Sequence, residues 1–315
     1  MNAFSFQTQP YAGIATFGRC PLTRDLARTD VAVVGIPYDG STSYRSGTRF
    51  GPRAIREQSL LLWGYHNGLR VAPFSDLKII DFGDVEVVPV DIRQTHQAIE
   101  RTVGEITSAG VTTVALGGDH SISLPLLRAH AAKYGPPAVI HFDAHPDTWN
   151  SEFGDNPYSH GTPFRRAIEE KLIDTDAYIQ IGIRGPTAGP QDYAEALSLG
   201  ARMIPLDEVC RSGIPNVIQE IRQRVGNRPV YLTFDIDAVD PAFAPGTGTP
   251  EVGGLSSREA LQILRGLAGL NFIGFDLVEV SPPFDHSQIT AILAANLVFE
   301  FLSLRLLRGT SSSIA

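Results

Sequence analysis

Cysteine is almost missing from this 315-residue chain. Only Cys20 and Cys210 are present, which excludes a disulfide framework and a CxxC pair and fits a reducing compartment. Charge is sparse too: 19% of residues are Asp, Glu, Lys or Arg against 43% hydrophobic, a composition that argues against intrinsic disorder. Positive charge is in deficit. A formal net charge of -8 and a pI near 5.5 argue against a nucleic-acid surface and mildly favour cationic ligands. Residues 1–30 carry Pro10, Gly13, Gly18 and Pro21 but no continuous apolar segment of signal or membrane-spanning type, so a soluble, cytoplasmic protein without a membrane partner is expected. No linker, low-complexity tract or internal repeat interrupts the chain. The simplest division is an irregular arm over 1–29 and one domain over 30–315.

What the chain does contain is a series of short apolar runs separated by helical patterns. Strands are expected at Val31–Pro37, Lys78–Asp81, Val111–Leu116, Val139 onward, Tyr178–Ile183, Ala201–Pro205, Val230–Asp235 and Phe272–Val278. Pro52 suits the first turn of a helix, and Ile92, His96, Ile99, Val103 and Ile106 recur at helical spacing, with Gly110 as the stop. Further helical patterns cover about 123–133, 191–199, 217–225, 257–267 and 290–306. Alternating strands and helices imply a parallel sheet with helices on its faces, as a closed barrel or an open doubly wound sheet. Both architectures place ligands at the carboxyl ends of the strands.

Three strand ends carry metal-ligand residue types. Val139–Asn150 reads Val-Ile-His-Phe-Asp-Ala-His-Pro-Asp-Thr-Trp-Asn, and Asp143, His145 and Asp147 share a face for as long as the backbone stays extended. His120 follows the third strand, and Asp235 with Asp237 ends the seventh, again spaced by two. Four carboxylates and two imidazoles are too much charge to bury without cations among them. Six ligands exceed what a single catalytic ion with an open position needs, whereas two ions sharing bridging carboxylates would use them all. Oxygen-dominated ligation suits manganese better than zinc, without excluding cobalt, nickel or zinc.

Gly-Gly-Asp-His-Ser at 117–121, Asp-Ala-His-Pro-Asp-Thr at 143–148 and Phe-Asp-Ile-Asp-Ala-Val-Asp-Pro-Ala-Phe-Ala-Pro-Gly-Thr-Gly-Thr-Pro-Glu-Val-Gly-Gly at 234–254 resemble the ureohydrolase family of arginases, agmatinases and guanidino-acid hydrolases. The resemblance runs from about Val31 to the final helix. It implies a three-layer α/β/α fold with a mainly parallel, eight-stranded open sheet, which favours the open sheet over a barrel. It implies two manganese ions per subunit, one held by His120, Asp143, Asp147 and Asp235, the other by His145, Asp143, Asp235 and Asp237. It also implies that Glu279 grips a guanidinium, that His160 is an acid or proton shuttle, and that Asp147 passes a proton to the leaving nitrogen. A homo-oligomer, trimer or hexamer, is part of the same expectation.

The expected reaction is hydrolysis of a small guanidino compound to urea and an amine. The wording from Phe153 to Ala167 is most similar to guanidinopropionate and guanidinobutyrate hydrolases of the agmatinase branch, while Pro146 and Trp149 depart from commoner agmatinase wording. An ω-guanidino acid is therefore preferred over agmatine, with arginine or a deacetylase substrate behind both. Candidate substrate contacts are Trp149, Tyr158, His160, Thr249 and Glu279, with Arg45 for a substrate carboxylate. Arg165 is read as a surface ion-pairing residue and His141 as core packing, and Asp119 and Asp240 as capping or supporting residues. His66, His130 and His286 have no supporting motif.

Overall fold

All eight apolar runs are strands in the computed structural model, which describes residues 9–308. In chain order the elements are β1 (Val31–Ile36), α1 (Gly51–Ser59), α2 (Pro73–Asp76), β2 (Ile79–Asp84), α3 (Ile92–Ser108), β3 (Thr112–Gly117), α4 (Ser123–Tyr134) and β4 (Ala138–Phe142). There follow α5 (Pro163–Glu169), β5 (Tyr178–Ile183), α6 (Pro190–Ser198), β6 (Arg202–Pro205), α7 (Leu206–Ser212), α8 (Ile214–Val225), β7 (Pro229–Asp235), α9 (Ser257–Gly266), β8 (Asn271–Val278) and α10 (Ile289–Leu306). The short helices α2, α5 and α7 have no counterpart in the sequence reading, because one or two turns leave too few positions for a helical period to emerge.

The strands form a single open sheet in the order β2-β1-β3-β8-β7-β4-β5-β6. Every pairing is parallel, so the expected "mainly parallel" sheet is wholly so. Parallel strands must be covered on both faces, which is why β1, β3, β4 and β5 read as unbroken buried runs. Val31 and Val33 of β1 enter one apolar cluster with Ile55 of α1, Ile221 of α8, Ile263 of α9 and Leu297 of α10. Ala32, Val34 and Ile36 enter the other, with Ile99 of α3, Leu127 of α4 and Phe164 of α5. The result is the three-layer arrangement.

Two features needed the tertiary structure. The stretch His286–Leu306, whose most apolar 18 residues have mean hydropathy 1.7, is long and apolar enough to cross a membrane, yet 72% of that window is buried inside the fold, where α10 packs on α1, α9 and β8. The described part of the arm is irregular apart from one 3-10 turn, but it is docked rather than loose. Phe17 is fully buried and its N–H donates to Asp81 Oδ2 at 2.8 Å, while Thr23 N–H and Asp81 N–H bond across the free edge of β2. The arm thereby covers an otherwise open sheet edge.

Candidate metal centre

His120, Glu279 and Asp143 follow β3, β8 and β4, and Asp235 ends β7; these strands are adjacent in the sheet although scattered in the chain. Parallel pairing brings their carboxyl ends to one side, and the site is assembled there. Gly118 makes the approach possible: a Cβ on it would meet Tyr38 O at 2.4 Å and Ile36 O at 2.6 Å, both backbone atoms.

The spacing of two works through turns rather than through extended strand. β4 ends at Phe142 and β7 at Asp235, so the pleat does not continue through the ligands. Instead Asp143 Oδ1 accepts the amide of His145 at 2.6 Å, and Asp235 Oδ1 accepts the amide of Asp237 at 2.8 Å. These local carboxylate-to-amide turns aim i and i+2 at one point. Asp147 and Glu279 sit at φ 49° and 64°, in the left-handed region that costs a non-glycine residue about 1–3 kcal/mol.

All six expected ligands converge. His120 Nδ1 lies 3.1 Å from Asp143 Oδ2, 3.0 Å from Asp147 Oδ2 and 3.2 Å from Asp235 Oδ2, yet makes no adequate hydrogen bond to any of them. A buried nitrogen facing three carboxylate oxygens without bonding them marks a seat for a cation. His145 Nδ1 faces Asp237 Oδ2 at 3.1 Å and Asp143 Oδ1 at 3.5 Å, so Asp143 offers one oxygen to each imidazole. That fits its expected bridging position.

Surrounding residues set the tautomers. Thr233 Oγ1 donates to Asp276 Oδ1 at 2.6 Å and therefore accepts from His120 Nε2–H at 2.9 Å, which leaves the Nδ1 lone pair aimed into the cluster. Tyr231 and Ser123 donate to the same buried Asp276. His141, read as core packing, is fully buried but also donates from Nε2 to Asp143 Oδ2 at 2.7 Å, with Tyr178 and Gln180 meeting its Nδ1. Only its two-residue offset from Asp143 hinted at this. Arg184, which the sequence reading passed over, donates to the carbonyls of Asp237 (2.8 Å) and Glu251 (2.6 Å) and ties together the two loops that carry Asp237 and Thr249. Asp119 caps its own turn and accepts Ser41 N–H, and Asp240 accepts Ala242 and Gly254 N–H, as expected of supporting residues.

The electrostatics are those of an acid cluster short of positive charge. Burial and then the charge of Asp143 push Asp147 up to about 7, and burial with Asp237 and Asp143 pushes Asp235 well above its usual range. Asp143 goes the other way: burial opposes ionisation, but His120, His141 and His145 hold it well below the usual value. Against the cost of burial, the carboxylates raise His120 and His145 well above normal. Protons are thus shared among groups that cations would otherwise satisfy.

A cavity of about 140 Å³ opens beside the cluster, lined by Ser43, His145, Asp147, Trp149, Glu152, His160, Asp235 and Thr249. A larger groove of about 630 Å³, beside Leu69 and Ile218, holds no such convergence of titratable groups. Glu279 Oε1 accepts His120 N–H and His160 Nδ1–H, both at 2.9 Å, while its buried Oε2 makes no hydrogen bond among the described residues. Thr249 Oγ1 reaches Asp237 Oδ2 at 3.4 Å. Arg45 stands beside the site through its carbonyl, against Gly248, and its guanidinium lies over Tyr44 and Phe284 without a carboxylate partner among the described residues. Tyr158 is not brought to the cavity: its ring packs edge-on to His96 and under Arg93, which turns it toward α3. Arg165 pairs with Glu169 and Glu195 on the surface.

For His160 two influences compete. Burial opposes its charging, and Glu279, Glu152 and Asp147 favour it, to about 10 in the absence of cations. The backbone N–H of Ser43, 3.0 Å from Nε2, demands a lone pair there. A backbone donor cannot rotate away, and cations among the neighbouring carboxylates would offset the field that favours charging. The hydrogen-bond geometry therefore selects the Nδ1–H tautomer of the neutral ring.

Comparison with known proteins agrees with this site. A sequence profile of the arginase family matches residues 29–303. The chain is 46% identical over 294 residues to guanidinopropionase of Pseudomonas aeruginosa, covering 93% of this chain and 92% of that one. It is 44% identical over 290 residues to the mitochondrial agmatinase of Gallus gallus, covering 92% and 85%. The solved structure of proclavaminate amidino hydrolase from Streptomyces clavuligerus superposes with a TM-score of 0.90 at 44% identity, covering 96% of this chain and all of that one. By sequence, fold and the His and Asp cluster at the strand ends, this chain belongs to the arginase family.

Proposed function

We propose that the protein hydrolyses the terminal guanidino group of a short ω-guanidino acid, 3-guanidinopropionate or 4-guanidinobutyrate, to urea and the corresponding amine. The observation that carries this reading is the bare, buried Oε2 of Glu279 beside the two-seat His and Asp cluster. A buried carboxylate oxygen with no hydrogen bond among the described residues, on a side chain bonded to the cavity-lining His160, suits a planar cation that donates N–H bonds. Arg45, with no carboxylate partner among the described residues, supports a carboxylate on the substrate's far end, as does similarity to guanidinopropionase.

Two manganese ions are the proposed cofactors. When bound they supply the missing positive charge and bring the pKa of water toward 7, as in known zinc hydrolases. His120, Asp143, Asp147 and Asp235 would hold one, and His145, Asp143, Asp235 and Asp237 the other. Glu279 orients the guanidinium, Asp147 carries a proton toward the departing nitrogen, and His160 is the acid or proton shuttle. Trp149 and Thr249 bound the substrate. A cytoplasmic trimer or hexamer belongs to the same proposal, with light scattering as its check.

Agmatine is the second reading, because Glu152 lines the cavity and Glu251 lies 3.6 Å from His145, both suited to a cationic tail. Urea release by manganese-loaded protein separates the two. Higher kcat/KM for guanidinopropionate or guanidinobutyrate than for agmatine or arginine is expected. Preference for agmatine would transfer the assignment to it.

A further inference from the structure

We propose that Ser43 is a positioning residue for His160, its amide fixing the imidazole as the Nδ1–H tautomer and its hydroxyl holding Nε2 toward the cavity. The inference rests on the hydrolase reading above for its catalytic meaning, but its geometry is independent of substrate. His160 Nδ1 lies 2.9 Å from Glu279 Oε1, an acceptor, and so carries the proton. Nε2 lies 3.0 Å from the Ser43 amide nitrogen and 2.8 Å from Ser43 Oγ. The amide can only donate, so Nε2 presents a lone pair. Both sides of the ring demand one tautomer.

The loop bearing Ser43 is itself held in place. Asp119 accepts Ser41 N–H at 3.0 Å, Ser41 O accepts His160 N–H at 3.2 Å, and Asp39 accepts Gly47 N–H at 2.7 Å while pairing with Arg49. Ser43 and His160 both line the cavity. The loop after β1 thus delivers a fixed donor to a residue that belongs to the loop after β4, an arrangement no linear motif records.

The test combines a spectroscopic and a kinetic readout. In 15N-histidine-labelled protein loaded with zinc, whose diamagnetism keeps resonances sharp, the His160 ring, assigned by its loss in His160→Asn, should show a protonated Nδ1 and a bare Nε2 at neutral pH. With manganese, Ser43→Ala should lower kcat about fivefold, the equivalent of one hydrogen bond near 1 kcal/mol, with KM and metal content unchanged, and Ser43→Thr should restore it. A protonated Nε2 in the wild type would overturn the tautomer, and an unchanged kcat in Ser43→Ala would overturn the positioning role of the Ser43 hydroxyl. Failure of wild-type protein to release urea from any guanidino compound would sink the hydrolase reading instead, while the spectrum would still decide the tautomer.

Discussion

Glu279 and Asp143 make different demands on the site, and variants should separate them. Among the described residues Glu279 bonds to the cluster through the amide of His120, so Glu279→Gln should keep both manganese ions while losing the charge proposed to grip a guanidinium. Removing one member of a buried charge pair costs about 2–5 kcal/mol, so kcat/KM should fall at least about thirtyfold with metal content unchanged by elemental analysis. Asp143 offers an oxygen to each imidazole, so Asp143→Asn should lose metal and activity together. Near-normal manganese in that variant would contradict a bridging role. At this scale the converging His and Asp side chains were legible because each lies in a contiguous motif. Tyr158 was misplaced for the opposite reason: its neighbours in sequence are at the site, but its ring found His96 and Arg93, which lie sixty residues or so away in the chain.

At the level of elements, the strand ends are held by contacts between strands. Thr233 of β7 links His120, after β3, to Asp276 of β8. Thr233→Val keeps the shape and removes both bonds, and loss of such a supporting partner typically weakens metal binding by about 10–100-fold. Titration of metal-free variant with manganese checks this; wild-type affinity would show that the Thr233 bond does not hold the ring. The meeting of β1 and β3 at Gly118 is equally tight, and since a methyl there would strike two backbone oxygens, Gly118→Ala should be destabilised and lower the melting temperature by several degrees. Strand positions were readable from apolar runs covered on both faces. Their lateral order was not, because β3, β4, β7 and β8 carry nothing in their own sequences that names a neighbour.

For the molecule as a whole, cations and protons compete for one cluster. Asp147 has a folded pKa of about 7, against roughly 4 for an unfolded aspartate, and His120 and His145 are also raised. A raised folded pKa gives stability that is present below the unfolded value and lost as pH rises through the folded one. These three groups therefore weaken the metal-free protein between about pH 4 and pH 7 and beyond, while Asp143, held low, is lost only in acid. Metal binding must expel the shared protons and so strengthens with pH. The gain in melting temperature on manganese loading should be larger at pH 8 than at pH 6, measured by calorimetry. An equal gain at both would mean that the cluster is already ionised without metal.

What the sequence by itself determined is the chemistry and the layering. Side-chain identity fixes which atoms can ligate a cation, and the twofold burial of parallel strands imposes long apolar runs that can be read directly. Only the tertiary structure decided the geometry: the strand order that makes four distant loops adjacent, the turns that aim Asp143 with His145 and Asp235 with Asp237, the burial of an apolar α10 inside the fold, and the contact between Ser43 and His160. The physical reason is range. Hydrogen bonds and packing act over a few ångströms, and which residues come that close depends on how the sheet is ordered.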